Sequence, residues 1–135
     1  MGSRILHVAI ADDWGASGNF GEYEVSTRGV GFFDVGYIRA TTAGGIDGVL
    51  QTIYGDLQLP LILVVIDVAA LEAAGVVVRR VAEQNAARDS LRIEGILPMD
   101  DAVIVATLAI ERIDGVLRVP DLTGLDVIDR LHVVD

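Results

Sequence analysis

The feature that most limits how this chain can fold is an unbroken apolar run at residues 61–66, which reads LILVVI. A strand with one wet face alternates apolar and polar residues, whereas a continuous apolar run is typical of a strand covered on both faces. The longest apolar stretch, residues 59–66, is far shorter than the ~20 residues that a membrane-spanning helix needs. We therefore expect a buried strand inside a layered domain.

Most of the remaining pattern predicts further strands, at residues 5–10, 31–34, 76–81, 91–94, 102–113 and 116–119. Asp114-Gly115 lies between the last two runs and is a strong hairpin signal. One helix is predicted by an apolar stripe at i, i+3, i+4 and i+7, formed by Ile46, Val49, Leu50 and Ile53. Shorter helices are predicted around Trp14 and over residues 121–131, and residues 82–90 are predicted to be a loop.

Strands outnumber helices in this pattern, and the helices fall early and late. The sequence therefore predicts an α+β fold with one strongly curved antiparallel or mixed sheet and two or three short helices. A length of 135 residues and an apolar content of 52% fit a single domain with one core.

The charge balance limits the partners. The formal net charge is −10, from 20 acidic residues and 10 basic residues, all of them arginine. Such a surface repels phosphate backbones and anionic membranes, so we expect neither nucleic acid nor a membrane as partner. A local group of arginines could still hold one small anion, because net charge is an average.

The chain has no cysteine, which excludes disulfides, thiolate chemistry and cysteine-based zinc sites. The first ten residues lack the long apolar centre of a signal peptide. We expect a cytoplasmic protein, either a monomer or a homodimer, with no metal site.

Two titratable residues lie on predicted strands early in the chain. His7 is either a core histidine with satisfied nitrogens or a group that orients a ligand or acts as a general base. Asp34 follows Phe32-Phe33, and alternation along a strand would put Phe33 on one face and Asp34 on the other. Asp34 is then either a solvated strand-end residue or a carboxylate of a ligand pocket.

The other candidate ligand-binding residues are mainly arginines. Arg79, Arg80 and Arg92 could form an anion pocket with Arg39, or could be surface arginines paired with nearby carboxylates. Glu94 would share a strand face with Arg92, which is more typical of a structural ion pair than of a catalytic acid. Asp100-Asp101 resembles a turn more than a metal site.

A set of short motifs occurs in a familiar order. The set comprises residues 5–8, Trp14, Gly21-Glu22-Tyr23, Gly31-Phe32-Phe33, Tyr54, residues 61–67, Leu71, Glu94-Gly95-Ile96-Leu97 and Asp101-Ala102-Val103. In this order and spacing the chain resembles the bacterial domain-of-unknown-function 952 family over about residues 4–119. We accordingly divide it into a family-like domain, residues 1–119, and a C-terminal extension, residues 120–135, which we expect to form a short helix packed on the domain.

The resemblance implies the split, curved sheet of ADP-ribosyltransferase-like folds, with a cleft between two half-sheets. By the same resemblance, NAD or ADP-ribose would be the ligand, His7 would orient the NAD ribose, and Glu94 would be the catalytic carboxylate of an ADP-ribosyl transfer. The chain departs from the family pattern at three positions. Asp34 stands where the family has a second histidine, and Arg92 and Glu94 stand where it has a histidine and a tyrosine.

These departures leave three hypotheses for function. The first is a nucleotide-binding domain of the NAD or ADP-ribose type, with ligand contacts from Phe33, Asp34, Arg39, Arg79 and Arg92. The second is a non-catalytic binding or protein-interaction module, either monomeric or homodimeric, in which the apolar extension covers a groove or a partner. The third is a small-molecule sensor with an acidic pocket lined by Asp34 and Glu94.

Overall fold

An antiparallel sheet of seven strands organises the chain, whose computed structural model describes residues 4–18, 21–27, 30–81 and 90–128. The strands are β1 (Arg4–Ile10), β2 (Glu22–Tyr23), β3 (Val25–Thr27), β4 (Val30–Gly31), β5 (Ile38–Thr41), β6 (Leu61–Asp67), β7 (Val77–Val81), β8 (Ser90–Glu94), β9 (Leu97–Pro98), β10 (Ile104–Ile113) and β11 (Val116–Arg118). The helices are α1 (Ala11–Gly18), α2 (Phe32–Val35), α3 (Ile46–Ile53) and α4 (Val68–Ala73). The predicted loop at residues 82–90 lies outside the described residues up to residue 89.

The seven strands follow the order β11-β10-β6-β1-β5-β8-β7, and β2–β9 and β3–β4 form two small ladders. All described pairings within the large sheet are antiparallel. The coarse fold prediction, a single α+β domain with a mostly antiparallel sheet and few helices, is confirmed. The helix formed by the apolar stripe, the strand at residues 91–94 and the Asp114-Gly115 hairpin are also confirmed, and Asp114 and Gly115 both have positive φ, 53° and 78°.

Strand β6 is covered on both faces, as its sequence predicts. Val64 and Ile66 point to a first face, which α1 and α4 cover, whereas Leu63 and Val65 point to a second face, which α3 covers. All four side chains are fully buried. The continuous apolar run is therefore explained by a core on each side of the sheet.

The sheet is weakly joined at one place. Strands β1 and β6 pair along their whole length, but β1 and β5 pair at a single position, Leu6 with Thr41. Because only this one described pairing joins β1 to β5, the sheet consists of a four-strand half (β11, β10, β6 and β1) and a three-strand half (β5, β8 and β7). We call the region around Leu6 and Thr41 the junction.

The predicted strand over residues 31–34 is wrong in most of its length, because Phe32–Val35 forms the helical turn α2. The carboxylate of Asp34 accepts a hydrogen bond from the amide of Gly31 (3.1 Å), as a capping carboxylate does three residues into a helix. Alternation along a strand therefore does not apply to Phe33 and Asp34.

The predicted C-terminal helix is also wrong within the described part of the chain. Gly124 and Asp126 have left-handed backbone angles, φ of 81° and 54°, which a right-handed helix cannot contain. Residues 121–128 instead form turns and an isolated bridge between Val127 and Arg4. Residues 129–131 lie outside the described residues. Within the described ranges, no helix is long and apolar enough to cross a bilayer.

We expect the Leu63→Ala substitution to lower the free energy of unfolding by about 2–5 kcal/mol, because it leaves a cavity between α3 and the sheet. The matched control is Leu59→Ala, since the side chain of Leu59 is 49% exposed and its truncation should cost less than about 0.5 kcal/mol. Urea denaturation of both variants measures the difference. Equal losses would contradict the assignment of Leu63 to the core.

Candidate functional site

His7 lies in the core beside the junction and is 2% exposed. Its Nδ1 is 2.7 Å from the backbone carbonyl oxygen of Arg39, and its Nε2 is 2.9 Å from the hydroxyl of Tyr23. A carbonyl oxygen can only accept, so Nδ1 carries the proton and donates, and Nε2 accepts from the Tyr23 hydroxyl. The ring thus bridges β1 and β5 with both nitrogens engaged.

Burial keeps both His7 and Tyr23 neutral. It lowers the pKa of His7 from 6.5 to about 4, although the hydrogen bond to the Arg39 carbonyl acts in the opposite direction. Burial likewise raises the pKa of Tyr23, whose ring is 4.9 Å from that of Trp14. His7 therefore has the geometry and charge state of a satisfied core histidine, one of the two alternatives left by the sequence.

Three of the predicted anion-binding arginines form a row on the second face. Arg39 of β5 is paired with Arg92 of β8, and Arg92 is paired with Arg79 of β7. Directly opposite residues on adjacent strands share a face, with Cβ atoms about 4.5–5.5 Å apart. We call Arg39, Arg92 and Arg79 the arginine row. Arg80 is paired with Leu91 and points to the first face, so it does not lie with the other three predicted arginines.

The arginine row is held by neighbours on the same face. Glu94 bonds Arg79 through Nε and Nη2, both at 2.9 Å, and the guanidinium carbon of Arg92 lies 4.2 Å from the ring centroid of Tyr37. The hydrogen bond from Arg79, together with the charges of Arg79 and Arg92, lowers the pKa of Glu94. Glu94 is therefore an ionised partner of the arginines.

The second face of the three-strand half is exposed toward its β7 edge, whereas at β5 Thr41 is buried and so is the Nε atom of Arg39. Among the described residues, the cluster under α3 contains none from β5, β7 or β8. Arg79 is 62% exposed in its side chain, and Val77 is 51% exposed. Where the row meets the junction there is a cavity of about 10 Å³, room for one water, between Arg39, Thr41, Val8 and Tyr54.

The structure does not bring the other predicted groups into one pocket. His7 points to the first face and Glu94 to the second, and Asp34 and Phe33 lie on α2, where Phe33 is 75% exposed. His7, Asp34 and Glu94 therefore do not line a shared hollow. The acidic pocket that the third hypothesis requires is not formed by Asp34 and Glu94.

An acidic hollow does occur elsewhere, between α1 and β2, lined by Asp13, Ser17, Glu22 and Glu24 among others. Across the described ranges, no group of three carboxylate or imidazole side chains is arranged to hold a metal ion.

Sequence reasoning missed Tyr37 and Tyr23. Strand β5 was not predicted, and alternation along Ile38–Thr41 is the signal that would have placed Tyr37 on the same face as Arg39. Tyr23 belongs to one of the short motifs, but its hydrogen bond to His7 joins residues 16 positions apart and leaves no local signal.

The chain matches no protein-family model and no curated protein. Its fold is similar to the crystal structure of protein CC0527 from Caulobacter crescentus, with a TM-score of 0.67 and 16% sequence identity over 85% of this chain and 93% of that one. A double mutant of CC0527 gives the same TM-score at 15% identity, with the same shares covered. At this identity the likeness shows the fold alone, and the resemblance to the family named above stays a prediction.

The buried His7 makes stability depend on pH with a definite sign. The unfolded chain protonates His7 near pH 6.5 and the folded chain near pH 4, so stability falls as pH drops between these values. The loss by pH 4 is roughly 3 kcal/mol at 1.36 kcal/mol per pH unit. We expect the drop in unfolding free energy between pH 7 and pH 4 to be smaller by that amount in His7→Phe.

Urea denaturation at the two pH values measures this drop. Tyr23→Phe is the control, because it removes the hydroxyl but keeps the titrating ring buried, and it should retain the drop. If His7→Phe lost as much stability as the unmodified chain, His7 would not be the buried group that titrates.

Proposed function

We propose that the domain binds a small phosphate-bearing ligand of the NAD or ADP-ribose type on the arginine row, and that it does so without catalysing a transfer. The observation that carries the proposal is the register of three adjacent strands, which puts Arg39, Arg92 and Arg79 side by side on one face. This proposal combines the ligand of the nucleotide-binding hypothesis with the absence of catalysis in the binding-module hypothesis.

Electrostatics favour an anion at this place. Like charges directly opposite each other on neighbouring strands destabilise a sheet, so the arginine row is unfavourable for folding by itself. Glu94 offsets part of the charge near Arg79. Strands lie about 4.8 Å apart, so the row extends roughly 10 Å, long enough for a diphosphate to contact more than one guanidinium.

The row is also suited to phosphate by its geometry. Arginine presents a planar fork of donors that can bind phosphate oxygens in pairs, and stacking on an aromatic ring fixes the plane of that fork. Arg92 stacks on Tyr37 in this way. Part of the entropy cost of orienting Arg92 is thus met before a ligand arrives.

The residues that would carry a transferase reaction are occupied in other roles. The resemblance implies that His7 orients a ribose and that Glu94 stabilises developing positive charge. His7 has both nitrogens bonded inside the core, and Glu94 is bonded to Arg79. We therefore propose binding alone. The single pairing between β1 and β5 supports our proposal that the finer fold is the split sheet of ADP-ribosyltransferase-like domains.

We expect Arg92→Gln to weaken the binding of ADP-ribose about tenfold or more, because a charge-assisted hydrogen bond contributes about 1.5–3 kcal/mol. Titration calorimetry with ADP-ribose and NAD measures the affinity. The control is Arg118→Gln, which makes the same change in net charge on exposed β11 at the opposite edge of the sheet and should leave the affinity unchanged. No heat from the unmodified protein at millimolar ligand would refute the proposal.

Glu94→Gln separates a counter-ion role from a catalytic one. If Glu94 is a counter-ion of the arginine row, its neutralisation leaves more positive charge for the ligand. We expect affinity for ADP-ribose to rise about two- to fivefold, the range of an exposed ion pair. A weaker affinity in the same calorimetric titration would indicate that the carboxylate contacts the ligand directly.

A further inference from the structure

One edge of the seven-strand sheet carries arginine on both of its faces. Strand β7 forms this edge and pairs with β8. Arg79 and Arg80 are consecutive residues of β7, so Arg79 points to the second face and Arg80 to the first. Both residues are exposed. The arginine row includes Arg79 but gives no role to Arg80.

The charge of this edge is opposite to that of the whole chain. Strands β5, β7 and β8 contain four arginines and one glutamate, a net charge of +3, whereas the chain has a formal net charge of −10. This value includes Glu94, which bonds Arg79 from the side of β8. Exposed charges more than about 10 Å apart are largely screened at ordinary ionic strength. The local charge therefore favours a partner with negative charge.

An extended peptide placed beside β7 reaches both arginines. Every second residue of an edge strand directs its N–H and C=O away from the neighbouring strand, so a further strand can pair with β7 by main-chain hydrogen bonds. Consecutive side chains of the added strand point to opposite faces, as Arg79 and Arg80 do. A small anion bound flat on one face lies beside only one of the two.

The two arginines also disfavour pairing of β7 with the same strand of a second copy. Such pairing would bring four arginines together, and like charges directly opposite each other destabilise a sheet. Charged residues on edge strands commonly prevent association of sheets in this way. The same two charges favour a strand with acidic residues, because opposite charges across a pair of strands stabilise the pairing.

We propose that β7 accepts an extended acidic peptide of a partner protein as an eighth strand of the sheet. Antiparallel pairing is slightly more stable per residue than parallel pairing, and an antiparallel peptide meets, in order, Arg80, Arg79, Val78 and Val77. Two consecutive acidic residues then face the arginines. Two apolar residues follow them, because Val78 packs against the core of the first face and Val77 is 51% exposed.

The preferred peptide therefore reads Glu-Glu-Val-Val in outline. Its main-chain hydrogen bonds come from β7, so the proposal does not depend on a ligand on the arginine row.

The test is a titration of isotope-labelled full-length protein with the end-blocked peptide Thr-Glu-Glu-Val-Val-Thr, without nucleotide, followed by nuclear magnetic resonance. We expect the amide signals of residues 77–80 to shift with added peptide. Hydrogen exchange of the outward-directed amides among them should slow by about threefold or more, because they gain hydrogen-bond partners. The signals of β11, at the opposite edge, should not change.

A peptide of the same composition and charge, Thr-Glu-Val-Glu-Val-Thr, is the matched control. Alternation puts both of its acidic residues on one face, so it reaches one arginine and should bind about two- to fivefold more weakly. Arg80→Gln should weaken the binding of Thr-Glu-Glu-Val-Val-Thr by a similar factor. Arg118→Gln makes the same charge change on β11 and should have no effect.

Three results would overturn the proposal. The first is no change in the signals of β7 at millimolar peptide, and the second is equal affinity for the two peptides. The third is protection of the β7 amides that rises with protein concentration when no peptide is present, since a second copy would then occupy the edge. Protection of β7 by the peptide in a protein that does not bind ADP-ribose would refute only the binding proposed for the arginine row.

Discussion

The structure depends on the interruption of one backbone ladder. After the pairing of Leu6 with Thr41, β1 and β5 make no further ladder pairing among the described residues, so backbone groups on each side of the junction need other partners. On one side, the His7 ring donates to the carbonyl of Arg39. On the other side, Ile128 bonds Arg4 and Ala43. A side chain and a distant segment therefore complete what the two strands leave unpaired.

The same interruption separates two kinds of surface. On the second face of the four-strand half, α3 covers the sheet, and its Leu50 packs against apolar side chains of β1, β6 and β10. The three-strand half lies beyond the junction, and its second face carries Arg39, Arg92 and Arg79 together with the exposed Val77. Its first face, with Ile38 and Ile93, remains part of the core. The polar face on which we propose ligand binding thus begins at the junction.

Sequence reasoning reached the fold class and most strands because these depend on local patterns. The run at residues 61–66 and the stripe of α3 are periodic signals that the structure follows. The sequence grouped four arginines, but only the strand register, which no local pattern gives, separates Arg80 from the other three and sets their order. The helical turn at Asp34 was not predicted, because its carboxylate caps the turn although the sequence alternates as in a strand. The C-terminal segment was predicted to be helical from its apolar spacing, but the left-handed backbone of Asp126 prevents a helix there. The partners of His7 are non-local and could not be predicted.

The contacts of Arg92 and Glu94 bear on the two neighbouring positions at which the chain departs from the pattern that the resemblance implies. The resemblance implies a histidine and a tyrosine at these places, and a lone carboxylate there would repel an anionic ligand. In this chain the carboxylate of Glu94 is held by Arg79, and Arg92 lies beside it on the same strand face. Arginine keeps its charge at neutral pH, and the guanidinium of Arg92 stacks on Tyr37. Compared with the histidine and tyrosine that the resemblance implies, Arg92 and Glu94 are less suited to proton transfer, and the guanidinium of Arg92 is better suited to holding phosphate, which supports the proposed binding without transfer.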